Sequence, residues 1–169
     1  LLQFILLGMW KSVRLLLLGY FITHIPITLL VDAQIAFGDH YPRKLRALFA
    51  WYVSSFGDVV LQESGLWLKS FVYAECFIQL PFFFYAVKAL LSHAETEKAF
   101  SVCALAYGVH VATTVLPILT TLIYSDEISD NGQRLALVGI YAPYFLCPLL
   151  VALDAAGNLM EKNNKKKAS

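Results

Sequence analysis

Two carboxylates carry most of the chemistry this sequence could perform. Asp32 closes an apolar run from about Leu15 to Val31, and Glu75 interrupts a second run from about Ser70 to Val87. An ionisable group in a membrane-spanning segment is costly and is expected to face the interior of a helix bundle. If the first and second runs are antiparallel neighbours, the two acids meet near one membrane face. Two carboxylates in contact cannot both ionise cheaply, so the pair shares a proton. One negative charge then remains, a partner for a single ligand ammonium or half of an acid/base pair. The plainer alternatives are an Asp32 in interfacial water and a Glu75 that serves as a structural hydrogen bonder.

Other polar side chains share these faces. His24, Thr28 and Asp32 are spaced by four and form one helical stripe. Glu75 and Gln79 form a second, His110 and Thr114 with nearby Tyr107 a third, and Tyr141 and Tyr144 a fourth. The stripes either converge on a cavity or serve hydrogen bonding between helices. His24 lies eight residues from Asp32, about two turns away, which places it out of reach of a shared proton.

The elements that must position these groups are long apolar helices. Hydrophobic residues make up 59% of the 169 and charged residues 15%, against about 25% charge in a soluble domain. With a mean hydropathy of +0.63, lipid is the solvent for most of the chain. Two further runs, about Ala99–Tyr124 and Leu135–Leu153, contain no charge. All four approach the roughly 20 residues that cross a bilayer, and each must satisfy its own backbone as a helix. The expected fold is an all-α membrane protein, a four-transmembrane-helix bundle. Residues 1–10 read as an extension of its first helix, 11–158 as the bundle and 159–169 as a lysine-rich tail. Pro26, Pro81, Pro117, Pro143 and Pro148 put a proline in every span, and each removes a backbone hydrogen bond. Helices kinked in this way can bow apart around a pocket suited to a rigid apolar molecule with one polar end.

The connection from Asp32 to Lys69 mixes aromatic and charged residues, the pattern of short interfacial helices. Four spans put both termini on one side. That side carries Lys11, Arg14, Lys88, Lys98, Lys162, Lys165, Lys166 and Lys167; the other carries Arg43, Lys44, Arg46, Lys69 and Arg134. Eight positive charges against five favour cytosolic termini. Lys166 and Lys167 lie third and fourth from the end, the pattern of an endoplasmic reticulum retrieval signal; a basic anchor on anionic lipid is the alternative. Cys76, Cys103 and Cys147 give neither a disulfide framework nor metal-ligand spacing. A net charge of +1 gives no case for nucleic acid.

Several short motifs occur in order from about Leu15 to Leu150: His24-Ile25-Pro26-Ile27-Thr28 with Asp32, Trp51-Tyr52, Leu61-Gln62-Glu63, Lys69-Ser70-Phe71, Gln79-Leu80-Pro81-Phe82-Phe83, Leu116-Pro117-Ile118-Leu119 and Tyr141-Ala142-Pro143-Tyr144. Together they resemble the sigma-2 receptor branch of the EXPERA family, whose enzymatic relative is the emopamil-binding sterol isomerase. The resemblance implies a four-helix fold, residence in the endoplasmic reticulum and a homodimer. It implies a cavity that binds sterols or oxysterols and lipophilic amines, a role in cholesterol homeostasis, no cofactor, and contact with a lysosomal cholesterol transporter. By the same resemblance Asp32 pairs with the ligand ammonium, Glu75 orients Asp32, and Asp58 is a loop acid that affects ligand response. Gln79, Thr114 and Tyr144 match pocket-lining positions.

The isomerase places a histidine one turn before its first-helix acid, where this chain has Thr28. Threonine cannot exchange a proton near neutral pH, so the expected function is ligand binding without catalysis. A sterol isomerase using Asp32 and Glu75 as acid and base is the alternative. A trafficking adaptor would leave the acidic pair without a ligand.

Overall fold

The computed structural model describes the backbone of residues 2–168 and the side chains of 13–161, 163 and 164. The side chains of residues 1–10 and of Lys166 and Lys167 lie outside that set. Every regular element among the described residues is helical, and four segments are long and apolar enough to cross a membrane: Val13–His40, Leu66–Leu91, Lys98–Tyr124 and Asn131–Glu161. The chain is a multi-pass, four-helix membrane protein. Leu15, Phe77 and Leu135 are 68–73% exposed, as side chains solvated by lipid tails can be.

The first span is built from α1 (Leu2–Ile27), a π-turn (Thr28–Asp32) and α2 (Ala33–Phe37), and a 3₁₀ turn (Gly38–His40) ends it. The sequence boundary near Val31 is thus too short. Asp32 lies inside the span, with eight residues, about 12 Å of helix, still to come. The second span repeats the design: α5 (Leu66–Ala74), a π-turn (Glu75–Gln79) and α6 (Leu80–Leu91). Ala33 and Leu80 each donate to the carbonyl five residues back, on Thr28 and Glu75. Pro26 precedes the first wide turn by two residues, and Pro81 follows the second by two. A proline cannot donate and crowds the carbonyl four residues before it, and wider turns are one way a helix accommodates such an interruption. The third and fourth spans are α7 (Lys98–Tyr124) and α8 (Asn131–Ala168), with Pro117, Pro143 and Pro148 inside them.

Between the first two spans lie α3 (Arg43–Phe56) and α4 (Val59–Glu63), the short helices expected there. No residue of α3 is buried. Glutamine amides tether it at both ends: Gln34 Nε2 faces the Leu45 carbonyl at 3.4 Å, and Gln133 Nε2 donates to the carbonyls of Phe56 and Gly57 at 3.0 and 3.1 Å. Gly57 ends α3 at φ +57°, a left-handed conformation that glycine adopts without penalty. Asp58 then caps α4, its Oδ1 accepting from the amides of Val60 and Leu61 at 3.1 and 3.2 Å.

α1 packs on α6, and α7 lies closely along α8. Gly108 permits that approach: a methyl there would meet the Pro148 carbonyl and come within 2.8 Å of Ala152 Cβ. Arg134 at the start of α8 closes the other end of α7, donating to the carbonyls of Leu122 and Ser125 at 2.9 and 3.0 Å. At the opposite end of the bundle Arg14 donates to the Leu90 carbonyl at 2.8 Å and pairs with Glu95 at 3.2 Å. An aromatic core of Phe21, Phe82, Phe83 and Tyr107 fills this half. A second core of Val60, Leu68, Leu122 and Leu137 lies beside α4.

Candidate functional site

A cavity of about 410 Å³ opens among the spans, within the range of small-molecule pockets. Each span supplies polar side chains to a mostly apolar wall: His24 and Asp32 from the first, Glu75 and Gln79 from the second, Thr114 from the third, Tyr141 and Tyr144 from the fourth. Leu45, Leu48 and Trp51 line it from α3. The two π-turns define the polar end, because Thr28, Asp32, Glu75 and Gln79 are their first and last residues. Single π-turns inside α-helices recur at functional sites.

Glu75 is the hub. The fully buried Thr28 hydroxyl donates to Glu75 Oε1 at 2.5 Å, and His24 Nε2 lies 3.6 Å from the same oxygen. Imidazole and carboxylate atoms of His24, Asp32 and Glu75 all fall within 4.8 Å of one another. The expectation that His24 stands apart from Asp32 therefore fails. Two turns measure distance along the helix axis, whereas the Glu75 side chain enters from the neighbouring helix and meets both. The His24 ring stacks on Phe83 with centroids 4.5 Å apart and meets Tyr144 edge-on at 4.8 Å. Two carboxylates and an imidazole, held this way at one end of an apolar chamber, can receive an ammonium or a hydroxyl. The same three groups are also a donor set that could hold a divalent cation.

Thr28, Tyr107 and His110 from the sequence stripes, and the loop acid Asp58, do not line the cavity; Thr28 is fully buried behind it on Glu75. Tyr107 belongs to the aromatic core, stacked on Phe82 at 4.5 Å, with its hydroxyl 3.3 Å from that of Tyr20. His110 lies one turn from Thr114 but outside the cavity lining, its Nε2 buried without a hydrogen-bond partner among the described residues. Asp58 is buried behind Tyr141, whose hydroxyl donates to Asp58 Oδ2 at 2.8 Å. Burial pushes the Asp58 carboxyl above its usual range, against the opposing pull of Tyr141 and the capped amides. Burial, helped by the Asp58 charge, raises the Tyr52 phenol to about 12. Asp58 thus touches the cavity only through Tyr141.

Residues 44–155 match the family model described as EXPERA (EXPanded EBP superfamily). The chain belongs to the EXPERA family. The match runs from α3 to α8 and leaves out the first span with His24 and Asp32. Full-length relatives extend over that span. The human protein "Sigma intracellular receptor 2" is 39% identical over 171 residues, covering 93% of this chain and 96% of its own. The Xenopus tropicalis protein of the same name is 43% identical over 142 residues, with 79% and 82% covered. The fission yeast "Efficient mitochondria targeting-associated protein 19" is 28% identical, with 88% and 78% covered.

Among the polar cavity residues on the spans of this EXPERA chain, one lay outside every sequence stripe. Gln34 is only two positions from Asp32, which puts the two on different faces of an ideal helix. Gln34 nevertheless lines the chamber, which is wide enough to take Leu30, Val31 and Ile35 as well as Asp32 from this segment. A lone amide between Leu30 and Phe37 was the available signal.

Proposed function

We propose that this chain is an intracellular membrane receptor of the sigma-2 type, which binds sterols or oxysterols and lipophilic cationic amines in an intramembrane cavity and acts in cholesterol homeostasis. The carrying observation is the cluster of His24, Asp32 and Glu75 at the polar end of an otherwise apolar chamber. That chamber suits a rigid amphiphile with one cationic or hydroxylated end, and the relatives named as receptors support the same reading. Endoplasmic reticulum residence, cytosolic termini, a homodimer and contact with a lysosomal cholesterol transporter complete the proposal.

The test is radioligand competition on Asp32→Asn. The substitution keeps shape and removes charge. A charge-assisted hydrogen bond to an ammonium is worth about 1.5–3 kcal/mol, so a lipophilic amine should weaken by about tenfold or more. A neutral sterol should change much less. Equal losses for both ligands would make Asp32 a structural residue and sink the reading.

One observation favours a second reading, sterol double-bond isomerisation. His24 reaches Glu75, so the proton-exchanging group that Thr28 lacks is available from one turn earlier. A positioned acid or base contributes about 10²–10⁴-fold. Conversion of a ring-unsaturated sterol by purified protein, lost in both Glu75→Gln and His24→Gln, would establish it; silence of the wild type would dismiss it.

A further inference from the structure

Gln34 presents an acceptor that nothing among the described residues satisfies. Its side chain is 7% exposed, lines the cavity, and leaves Oε1 buried without a hydrogen bond. The orientation of the amide is not free. Nε2 donates to the Leu30 carbonyl at 2.5 Å and faces the Leu45 carbonyl at 3.4 Å. Turning the amide over would set its oxygen against two carbonyl oxygens. The oxygen therefore stays where a donor must come from outside the protein, since a buried acceptor left unmade costs about 1–3 kcal/mol.

We propose that Gln34 Oε1 accepts the hydroxyl proton of the bound sterol, so that the cavity selects free sterol alcohols over ketones, ethers and esters. This rests on the sterol-binding reading above and specifies its ligand class. Gln34 lies two residues beyond Asp32, about 3 Å further along the helix, so the hydroxyl is received at the acidic end of the chamber. A carboxylate alone would accept a hydroxyl or an ammonium. A neutral amide oxygen adds a preference for the hydroxyl and adds little for a tertiary ammonium, whose single N–H is taken by Asp32. Ketones and esters present only acceptors, and meet Gln34 oxygen to oxygen.

The experiment compares cholestanol with cholestanone, which share a ring skeleton and differ by a hydroxyl against a carbonyl. Both compete for a labelled sterol on the purified full-length protein, with a lipophilic tertiary amine as a third ligand. Wild type should prefer the alcohol by about tenfold. Gln34→Met, similar in length but unable to accept, should bring alcohol and ketone within about twofold of each other, whatever common loss it causes to all three ligands. Equal binding of alcohol and ketone by wild type overturns the proposal without need of the variant. So does a Gln34→Met protein that keeps the wild-type preference for the alcohol over the ketone, because the amide would then act only by tethering α3. If no sterol binds wild type at all, the sterol reading itself falls and the proposal with it.

Discussion

At the scale of single residues, Asp58 shows how far a sequence motif reports place but not work. It was legible as an acid in the loop before α4, and its burial behind Tyr141 was not, because that contact joins residues 83 positions apart. Its carboxyl is raised chiefly by burial, so the folded state holds the Asp58 proton more tightly than the unfolded chain does. The stability this contributes is complete below the unfolded value of about 4 and is lost as pH rises through the raised folded value. Thermal melts of detergent-solubilised protein should show that fall setting in as pH rises above about 4. Asp58→Asn, which can still cap Val60, should flatten it, and an unchanged slope would assign the titration to another group. Asp58→Ala also loses the cap and should cost about 0.5–2 kcal/mol. Thr28, Asp32, Glu75 and Gln79 were readable as polar stripes from spacing, whereas the approach of His24 to Asp32 was not, because Glu75 reaches in from the neighbouring helix. Gln34 was not readable either, because spacing along one helix does not show how wide a cavity the neighbouring spans leave beside it.

At the scale of elements, hydrophobic runs located all four spans, but charge and polarity mislocated their ends. Asp32 looks like a boundary in sequence and is an interior residue in the structure, because the bundle rather than water surrounds it. The closest helix pair was not legible at all, since a glycine in an apolar run carries no label for its neighbour. Two glycines separate packing from propensity. Gly108 faces the Pro148 carbonyl and Ala152, while an added methyl at Gly139 of α8 meets nothing within 4 Å. Gly108→Ala should destabilise the protein by about 1–3 kcal/mol through overpacking. Gly139→Ala should be neutral or slightly stabilising, since alanine is the better helix former by about 1 kcal/mol. Paired melting curves in one detergent check both. A Gly108→Ala melt at or above wild type would remove the close approach of α7 and α8 as a source of stability.

For the whole molecule, an apolar outer face and four spans establish a multi-pass protein, and its orientation rests on the distribution of thirteen basic residues. A tag after Ser169 should be labelled when only the plasma membrane is permeabilised; labelling that requires opened internal membranes would invert the orientation. On the proposed endoplasmic reticulum residence, serine at both Lys166 and Lys167 should release part of the protein to later compartments, and an unaltered distribution would leave the tail as a basic anchor. The paired π-turns make chain length itself a functional quantity. Each accommodates one residue more than an α-helical path requires. Deleting a single residue between Thr28 and Asp32 is absorbed by closing the wide turn into an α-helical one, whereas inserting a further residue there would leave the span long enough for the bilayer, yet rotate everything before the insertion by about 100° relative to everything after it. Lipid-facing Leu15 and Leu16 and cavity-facing His24 would then change azimuth together against Asp32 and Gln34. The bundle can therefore tolerate many substitutions along its first helix and still be silenced by a change in residue count, because the site is assembled by counting as much as by chemistry.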